Sequence, residues 1–119
     1  MKSRGKPRIL FVCGRHQWRS PTAEKIYRDD DRIEVRSVGV ASAAKRRLSE
    51  KDLTWADRVL VMEQKHASMI RQRFRILKDL PSIVSLDIPD EFLFMDAELV
   101  RLLQERVEDE IDELIQPGG

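Results

Sequence analysis

Short apolar runs alternate along the chain with stretches of helical periodicity. The run from Arg8 to Val12 is almost continuously apolar, which predicts a strand covered on both faces of a sheet. Three later runs predict further strands, at residues 33–38, 59–62 and 83–86. Helix-start signals and apolar stripes predict four helices, which begin at Ser20, Ser49, Glu63 and Asp96.

This alternation of strand and helix predicts an α/β fold with right-handed crossovers. The expected architecture is a three-layer sandwich, in which a doubly wound, four-stranded parallel sheet lies between two layers of helices. Ligands of such sheets bind outside the carboxyl ends of the strands. Three loops qualify for such a site: those after Val12, Met62 and Leu86.

Composition narrows the class of protein. The 119 residues, 41% apolar and 36% charged, fit one globular domain, which we expect at residues 8–116 after a basic, flexible tail at residues 1–7. No apolar run reaches the roughly 20 residues that span a bilayer, and we recognise no signal peptide, so no membrane partner is expected. The single cysteine excludes an internal disulfide and a multi-cysteine zinc site, so we expect a cytoplasmic protein without metal or cofactor.

Charge is distributed unevenly along the chain. Residues 1–28 carry eight Lys/Arg against one Glu, whereas residues 98–113 carry seven Asp/Glu against two Arg. A basic segment attracts anions, but few aromatic residues interleave with these charges, so the sequence gives little support for a nucleic-acid partner. The acidic stretch is best explained as a solvated helix face.

The strongest local pattern lies between the first strand and the first helix. Cys13 leaves the strand, Arg19 follows after five intervening residues, and Ser20-Pro21 begins the helix. A short loop ending at a helix N-terminus offers backbone N–H groups and positive potential to an anion. Arg19 can bind two oxygens of a tetrahedral oxyanion. A lone buried cysteine is usually a small apolar residue, but this combination favours an oxyanion site with a reactive thiol.

Further motifs follow this loop along the chain. The chain has ILFVC and RSPTAE at residues 9–13 and 19–24, SVG at 37–39, LTWADRVLVME at 53–63 and IPDEF at 88–92. With these motifs it resembles the low-molecular-weight protein tyrosine phosphatases. LDIPD at 86–90 and FMDAEL at 94–99 most closely resemble a short bacterial branch of predicted phosphatases. The resemblance spans about residues 8–107 and implies the phosphotyrosine phosphatase I-like form of the expected sandwich.

The resemblance also implies roles for individual residues. Cys13 is the expected nucleophile, which takes the phosphoryl group as a phosphocysteine. Ser20 is expected to tune the thiolate, and Asp90 to protonate the leaving group and then activate water. The expected phosphate-binding residues are Gly14, Arg15, His16, Gln17, Trp18, Arg19 and Ser20.

The residues alone leave two carboxylates open as the acid. Asp90 and Asp87 both follow the carboxyl end of the fourth strand, and each is equally well explained as a cap of the turn. Only the resemblance favours Asp90. Phe92 takes the place of the family's tyrosine after the acid, which predicts either an aromatic wall of the pocket or core packing.

The loop departs from the family pattern at positions that shape it. His16 replaces an asparagine with left-handed backbone, a conformation that histidine tolerates better than most residues. The hydrogen bonds that link the loop to Ser20 and Ser37 would be rebuilt around it. Trp18 replaces a second loop cysteine, so a protective disulfide inside the loop is impossible.

Other departures change the entrance of the expected pocket. Gly14 and Gln17 replace apolar residues beside the phosphate, and Arg15 adds a cation at the mouth. The segment 40–47 replaces a longer connection, which predicts a more open site. Outside these loops, we expect His66 at the surface or its boundary and Met62 and Met69 in the core.

Three functions follow from this pattern. The first is hydrolysis of a phosphomonoester, with a phosphotyrosine protein or a small aryl phosphate as substrate and phosphate, sulfate or vanadate as loop ligands. The second is a non-catalytic relative that binds phosphate or phosphoproteins. The third is arsenate reduction, which the lack of a resolving cysteine disfavours.

Overall fold

Strands and helices alternate in the predicted order. The computed structural model describes residues 5–115, so residues 1–4 of the predicted tail and residue 116 of the predicted domain lie outside the described residues. The strands are β1 (Arg8–Cys13), β2 (Glu34–Gly39), β3 (Arg58–Val61) and β4 (Ser82–Ser85). The helices are α1 (Arg19–Tyr27), α2 (Glu50–Trp55), α3 (Gln64–Arg73) and α4 (Ala97–Ile115).

The four strands form one parallel sheet in the order β2-β1-β3-β4, which confirms the predicted sheet. Strand β1 is central and pairs along its whole length with β2, and over residues 9–12 with β3. The chain moves outward from β1 to β2 and then returns past β1 to β3. Because connections leave β1 in opposite directions, a crevice forms at the carboxyl ends of β1 and β3, where ligands of doubly wound sheets bind.

Alternate side chains of β1 face the two helix layers, as the pleat of a strand requires. Ile9 and Phe11 pack in one core cluster with α1 and α4, whereas Leu10 and Val12 pack in another with α2 and α3. All four side chains are fully buried. The two cores explain the continuous apolar run of β1, and they confirm the three-layer sandwich.

Two of the predicted helix starts are confirmed in detail. Ser49 and Asp52 form a reciprocal capping box at the start of α2. The Asp96 carboxylate accepts hydrogen bonds from the backbone N–H groups of Glu98 and Leu99 at the start of α4. Each cap satisfies N–H groups that the first turn of a helix leaves without partners.

The start of α1 differs from the prediction. The helix begins at Arg19 rather than after a Ser20 cap, and its N-cap residue, Trp18, makes no side-chain cap hydrogen bond. Ser20 lies inside the first turn because its hydroxyl bonds to the cysteine of the preceding loop and to β2. The sequence signal for a helix start was right, but the serine serves the loop rather than the helix.

Within residues 5–115, no helix is long and apolar enough to cross a membrane. Among the same residues, no group of three or more His, Cys, Asp or Glu side chains is arranged to hold a metal ion.

Candidate active site

A cavity of about 320 Å³ opens at the carboxyl end of β1. It is lined by the loop after β1, by Val40 and Ala41 after β2, by one face of α3 and by Asp90 after β4. The loop contributes Cys13, Gly14, Arg15, Gln17, Trp18 and Arg19, and α3 contributes Lys65, His66 and Met69. The crossovers of the sheet thus bring Cys13, Arg19 and Asp90 around one cavity, whereas His16 and Ser20 do not line it.

The backbone of the loop has its carbonyl groups directed outward. Four loop carbonyl oxygens accept backbone hydrogen bonds of 2.9–3.2 Å from outside the loop, those of Cys13, Gly14, Arg15 and Trp18. In contrast, the backbone N–H groups of residues 14–19 donate to no other residue in the described part of the chain. A loop with satisfied carbonyls and free N–H groups is a nest for an anion.

Gly39, at the end of β2, permits the close packing of this loop. A Cβ atom at this position would lie 2.6 Å from the Gly14 carbonyl oxygen and 2.8 Å from the His16 nitrogen. Both distances are shorter than a side chain tolerates. Gly39 therefore lets the backbone of β2 support the loop directly.

Cys13 and Ser20 meet behind the anion nest. Cys13 Sγ lies 3.0 Å from Ser20 Oγ, which lies 3.2 Å from the Val38 carbonyl oxygen. The serine hydroxyl has one proton and can donate to only one of these acceptors at a time. When the thiol is protonated, it can donate to Ser20 while Ser20 donates to Val38. When the thiol ionises, the hydroxyl can turn to the sulfur, so the thiolate has a donor in place.

Arg19 is buried and held rigidly at the edge of the nest. Its side chain is 5% exposed. Its Nη1 donates to Glu63 Oε2 at 2.5 Å and to the Ile88 carbonyl oxygen at 2.7 Å. These contacts use both Nη1 protons and leave Nε and Nη2 for a ligand. That pair of nitrogens forms the fork that binds two oxygens of a phosphate.

Glu63 is the site residue that the sequence reasoning missed. Its position directly after the third predicted strand, in one of the three candidate loops, was the available signal. Burial alone would raise the pKa of Glu63, but the hydrogen bond and charge of Arg19 outweigh it and hold the pKa below its usual value. The pair is therefore ionised, and Glu63 compensates the buried charge of Arg19.

Two expectations for α3 were wrong. His66 is buried, not a surface or boundary residue, and Met69 is 43% exposed at the cavity rather than in the core. His66 turns inward because its Nδ1 accepts a hydrogen bond from the Glu63 backbone N–H, which leaves the proton of the neutral ring on Nε2. Burial and the charge of Arg19 lower the pKa of His66 to about 4.

We expect His66 to make the protein acid-sensitive. A histidine whose folded pKa lies below its unfolded value of 6.5 takes up a proton in the unfolded chain first, so stability falls as the pH drops from 6.5 towards 4. The free energy of unfolding should be about 2 kcal/mol lower at about pH 5 than at about pH 7.5. Urea unfolding at both pH values measures this difference.

The variant His66→Asn keeps an acceptor for the Glu63 N–H but does not titrate. It should lose most of this pH dependence, and an unchanged dependence would contradict the assignment. Burial also lowers the pKa of His16, so a small residual slope of the same sign is expected. Carboxylates with lowered pKa values, such as Glu63, contribute only at lower pH.

His16 rebuilds the network behind the loop, as its substitution for asparagine suggested. Its backbone has φ of 60°, in the left-handed region. Its Nε2 lies 2.8 Å from Ser37 Oγ, and Ser37 Oγ donates to the Glu24 carboxylate. Because the hydroxyl proton of Ser37 is donated to Glu24, Ser37 Oγ accepts the hydrogen bond from His16 Nε2–H. Among the described residues, His16 Nδ1 is the buried side-chain atom left without a hydrogen-bond partner.

The structure separates the two candidate acids. Asp90 lines the cavity, and its Oδ1 lies 3.8 Å from Arg19 Nε. Asp87 lies at a different surface depression with Arg106, and its Oδ1 accepts a hydrogen bond from Ser85 Oγ. Asp87 has φ of 55°, which is the turn conformation expected of a cap. Of the two candidate acids, the geometry therefore places Asp90 beside the nest and Asp87 away from it.

Phe92 packs against the core cluster of α1 and α4 and does not line the cavity. Of the two alternatives that its position left open, core packing is the one observed. The aromatic side chain at the mouth is instead Trp18, which is 37% exposed. The tryptophan that replaces the family's second loop cysteine therefore forms part of the pocket wall.

Comparisons with solved structures identify the class of this fold. A scan against protein-family models and a search of curated proteins returned no match. The low-molecular-weight protein tyrosine phosphatase of Streptococcus pyogenes matches with a TM-score of 0.77 and 15% identity, over 93% of this chain and 95% of that one. The tyrosine phosphatase Wzb of Escherichia coli, solved with phosphate, matches with a TM-score of 0.68 and 19% identity, over 92% and 99%.

An arginine phosphatase, YwlE of Geobacillus stearothermophilus, has higher sequence identity. It is 29% identical, with a TM-score of 0.61, over 91% of this chain and 90% of that one. The resemblance inferred from the sequence is thus confirmed, and the chain has the fold of the low-molecular-weight protein tyrosine phosphatases. Both tyrosine and arginine phosphatases share it.

Proposed function

We propose that this chain is a phosphatase that hydrolyses phosphomonoesters through a phosphocysteine on Cys13. The observation that carries the proposal is the nest of free N–H groups around the end of β1, with the Arg19 fork at its edge. Phosphatases of the same fold, one of them solved with phosphate, support it. Since Cys13 has to remain a free thiol, we place the activity in a reducing compartment, the cytoplasm.

The proposed reaction has two steps. In the first, the Cys13 thiolate attacks phosphorus, the bond from phosphorus to the leaving oxygen breaks, and protonated Asp90 gives its proton to that oxygen. The loop N–H groups and Arg19 bind the three equatorial oxygens. In the second, Asp90 takes a proton from a water that attacks phosphorus, and the phosphorus–sulfur bond breaks. The Ser20 hydroxyl donates to the departing thiolate, and inorganic phosphate is released.

The mouth of the cavity favours an aryl phosphate, in particular protein phosphotyrosine. Trp18, Val40 and Met69 offer apolar surface for an aromatic ring, and Arg15 and Lys65 offer positive charge for a phosphate dianion. Phosphoarginine is the second candidate because an arginine phosphatase is 29% identical to this chain. Its guanidinium group would lie beside the same two cations, which disfavours it.

The test is turnover of p-nitrophenyl phosphate, a phosphotyrosine peptide and a phosphoarginine peptide, under reducing conditions and at mildly acidic pH. Mass spectrometry of the quenched reaction detects the phosphocysteine. Hydrolysis of the first two substrates with a trapped adduct on Cys13 supports the proposal. Faster hydrolysis of phosphoarginine would transfer the mechanism to that substrate.

The other two functions give different results in the same assay. A non-catalytic relative would bind vanadate tightly without turnover above the Cys13→Ser control. An arsenate reductase would consume arsenate in the presence of an external thiol, since Cys13 has no resolving partner in the chain. Either result without phosphatase turnover would overturn the proposal.

Asp90→Asn should separate the two carboxylates functionally. Loss of the general acid is expected to lower kcat about 10²- to 10³-fold with p-nitrophenyl phosphate as with a phosphotyrosine peptide. Because Asp90 has to be protonated in the first step, the basic limb of the kcat/KM pH profile should change with it. Asp87→Asn is the matched control and should leave kcat within about twofold, because Asp87 lies outside the cavity. A large loss in Asp87→Asn alone would reverse the assignment.

A further inference from the structure

A group of exposed cations surrounds one side of the cavity mouth. We call Arg15, Lys45, Arg46, Arg47 and Arg73 the basic rim; all five are exposed. The Lys45 backbone N–H donates to the Arg15 carbonyl oxygen at 3.2 Å, which ties the segment after β2 to the phosphate-binding loop. The same segment is anchored by a bridge between Gly39 and Arg47.

The basic rim is electrostatically uncompensated. None of its five side chains forms an ion pair with another residue of the described chain. Burial and the charge of Arg47 both lower the pKa of Arg73, so these two arginines lie close enough to repel each other. Other arginines near the sheet are paired, for example Arg36 with Asp52. Arg73 stacks on the Phe74 ring, but no carboxylate of the described chain balances these like charges, so an anionic ligand would be attracted to them.

An apolar groove lies beside the cavity, and Arg73 of the rim forms part of its wall. It has a volume of about 450 Å³ and is lined by Val40, Ser68, Met69, Gln72 and Arg73. Val40 and Met69 also line the active-site cavity, so the groove adjoins the cavity along these two side chains. A peptide whose phosphate sits over Cys13 would therefore have its flanking residues next to the groove.

We propose that the groove and the basic rim bind an acidic stretch of polypeptide next to the phosphorylated residue. Val40 and Met69 would contact the apolar stems of that stretch, and Arg47 and Arg73 its carboxylates. The inference rests on the proposed phosphatase function and specifies its substrate as a phosphoprotein with Asp or Glu beside the phosphorylated residue. A nucleic acid fits less well, because no aromatic side chain lines the groove to stack on a base.

The test compares two phosphotyrosine peptides of equal length, one with Asp and Glu beside the phosphotyrosine and one with Asn and Gln there. The acidic peptide should have a kcat/KM about 3- to 20-fold higher, mostly through a lower KM, as expected for two exposed charge pairs. This preference should shrink as salt is raised to about 1 M, where exposed charges are screened. Equal values for the two peptides at low salt would overturn the inference.

Paired charge variants locate the effect on the protein. In Arg47→Gln/Arg73→Gln, the ratio of kcat/KM between the acidic and the neutral peptide should fall close to one. Lys25→Gln/Arg28→Gln removes the same charge at the far end of α1 and should keep the ratio of the unaltered protein. Equal loss in both double variants would mean that net charge alone attracts the peptide, and it would overturn the assignment to this groove.

Binding measurements separate this inference from the proposed function. If the protein hydrolyses no substrate, the phosphatase proposal fails, but fluorescence anisotropy with Cys13→Ser still compares the two peptides. Tighter binding of the acidic peptide would support the groove as a binding site, and equal binding would overturn it. Stronger competition by a 5′-phosphorylated oligonucleotide than by the acidic peptide would also overturn it, in favour of a nucleic acid.

Discussion

Replacing Cys13 by serine is expected to lower kcat for p-nitrophenyl phosphate by at least about 10⁴-fold. A serine hydroxyl at this position has no general base beside it, because its neighbour Ser20 is itself a hydroxyl that bonds to the Val38 carbonyl. The nest of N–H groups does not depend on the sulfur, so binding of inorganic phosphate should persist. The measurement is steady-state turnover together with phosphate affinity.

A folding control and a second variant show whether the loss comes from the nucleophile itself. Cys13 is 3% exposed and serine is nearly isosteric, so thermal unfolding should show a folded variant. Ser20→Ala, which keeps the thiol and removes its hydrogen-bond donor, should lower kcat by only about 10- to 100-fold and shift the pH profile. Comparable residual activity in Cys13→Ser and the unaltered protein would mean that another group attacks phosphorus.

Arg19→Lys is expected to lower kcat/KM by about 10²- to 10³-fold, although the charge is conserved. A lysine ammonium cannot hold Glu63 and the Ile88 carbonyl oxygen and also offer two parallel N–H groups to a phosphate. The substitution should destabilise the transition state more than the bound substrate, so kcat should fall by a larger factor than KM rises. Arg101→Lys, an equally conservative change on the exposed face of α4, is the control and should have no measurable effect.

Glu63→Gln tests whether Glu63 acts through Arg19. The amide can still accept from Nη1 but no longer compensates its charge, so the guanidinium should be held less firmly. We expect kcat to fall about tenfold while the free energy of unfolding drops by about 1–3 kcal/mol. If kcat falls no further than stability explains, Glu63 has only a structural role. If kcat falls under conditions in which Glu63→Gln is fully folded, Glu63 is a positioning residue that acts through Arg19.

The order of elements and the anion nest could be predicted from the sequence because both depend on local signals. Buried strands produce continuous apolar runs, and helix starts show their caps, as Ser49 and Asp96 do. The loop from Cys13 to Arg19 is one short segment between a strand and a helix, so its geometry follows from its own residues. The left-handed backbone of His16, in contrast, was expected only from the resemblance to the family.

The partners of that loop could not be predicted in this way because they come from distant parts of the chain. Arg19 meets Glu63 across 44 residues and the Ile88 carbonyl across 69. Their meeting depends on the strand order, which places β3 and the end of β4 beside β1. Neither the spacing nor the residue types contain that information.

The choice between Asp90 and Asp87 could also not be made from the residues alone. The two carboxylates are three positions apart and chemically identical, and only the path of the backbone sends one to the cavity and the other to a turn beside Arg106. His66 was misplaced for the same reason, since polar neighbours along a helix do not reveal which face the sheet covers. The sequence by itself determined the elements and the anion-binding loop, because adjacent residues control them. The tertiary structure decided which distant side chains complete the site, because only the crossovers of the sheet bring them together.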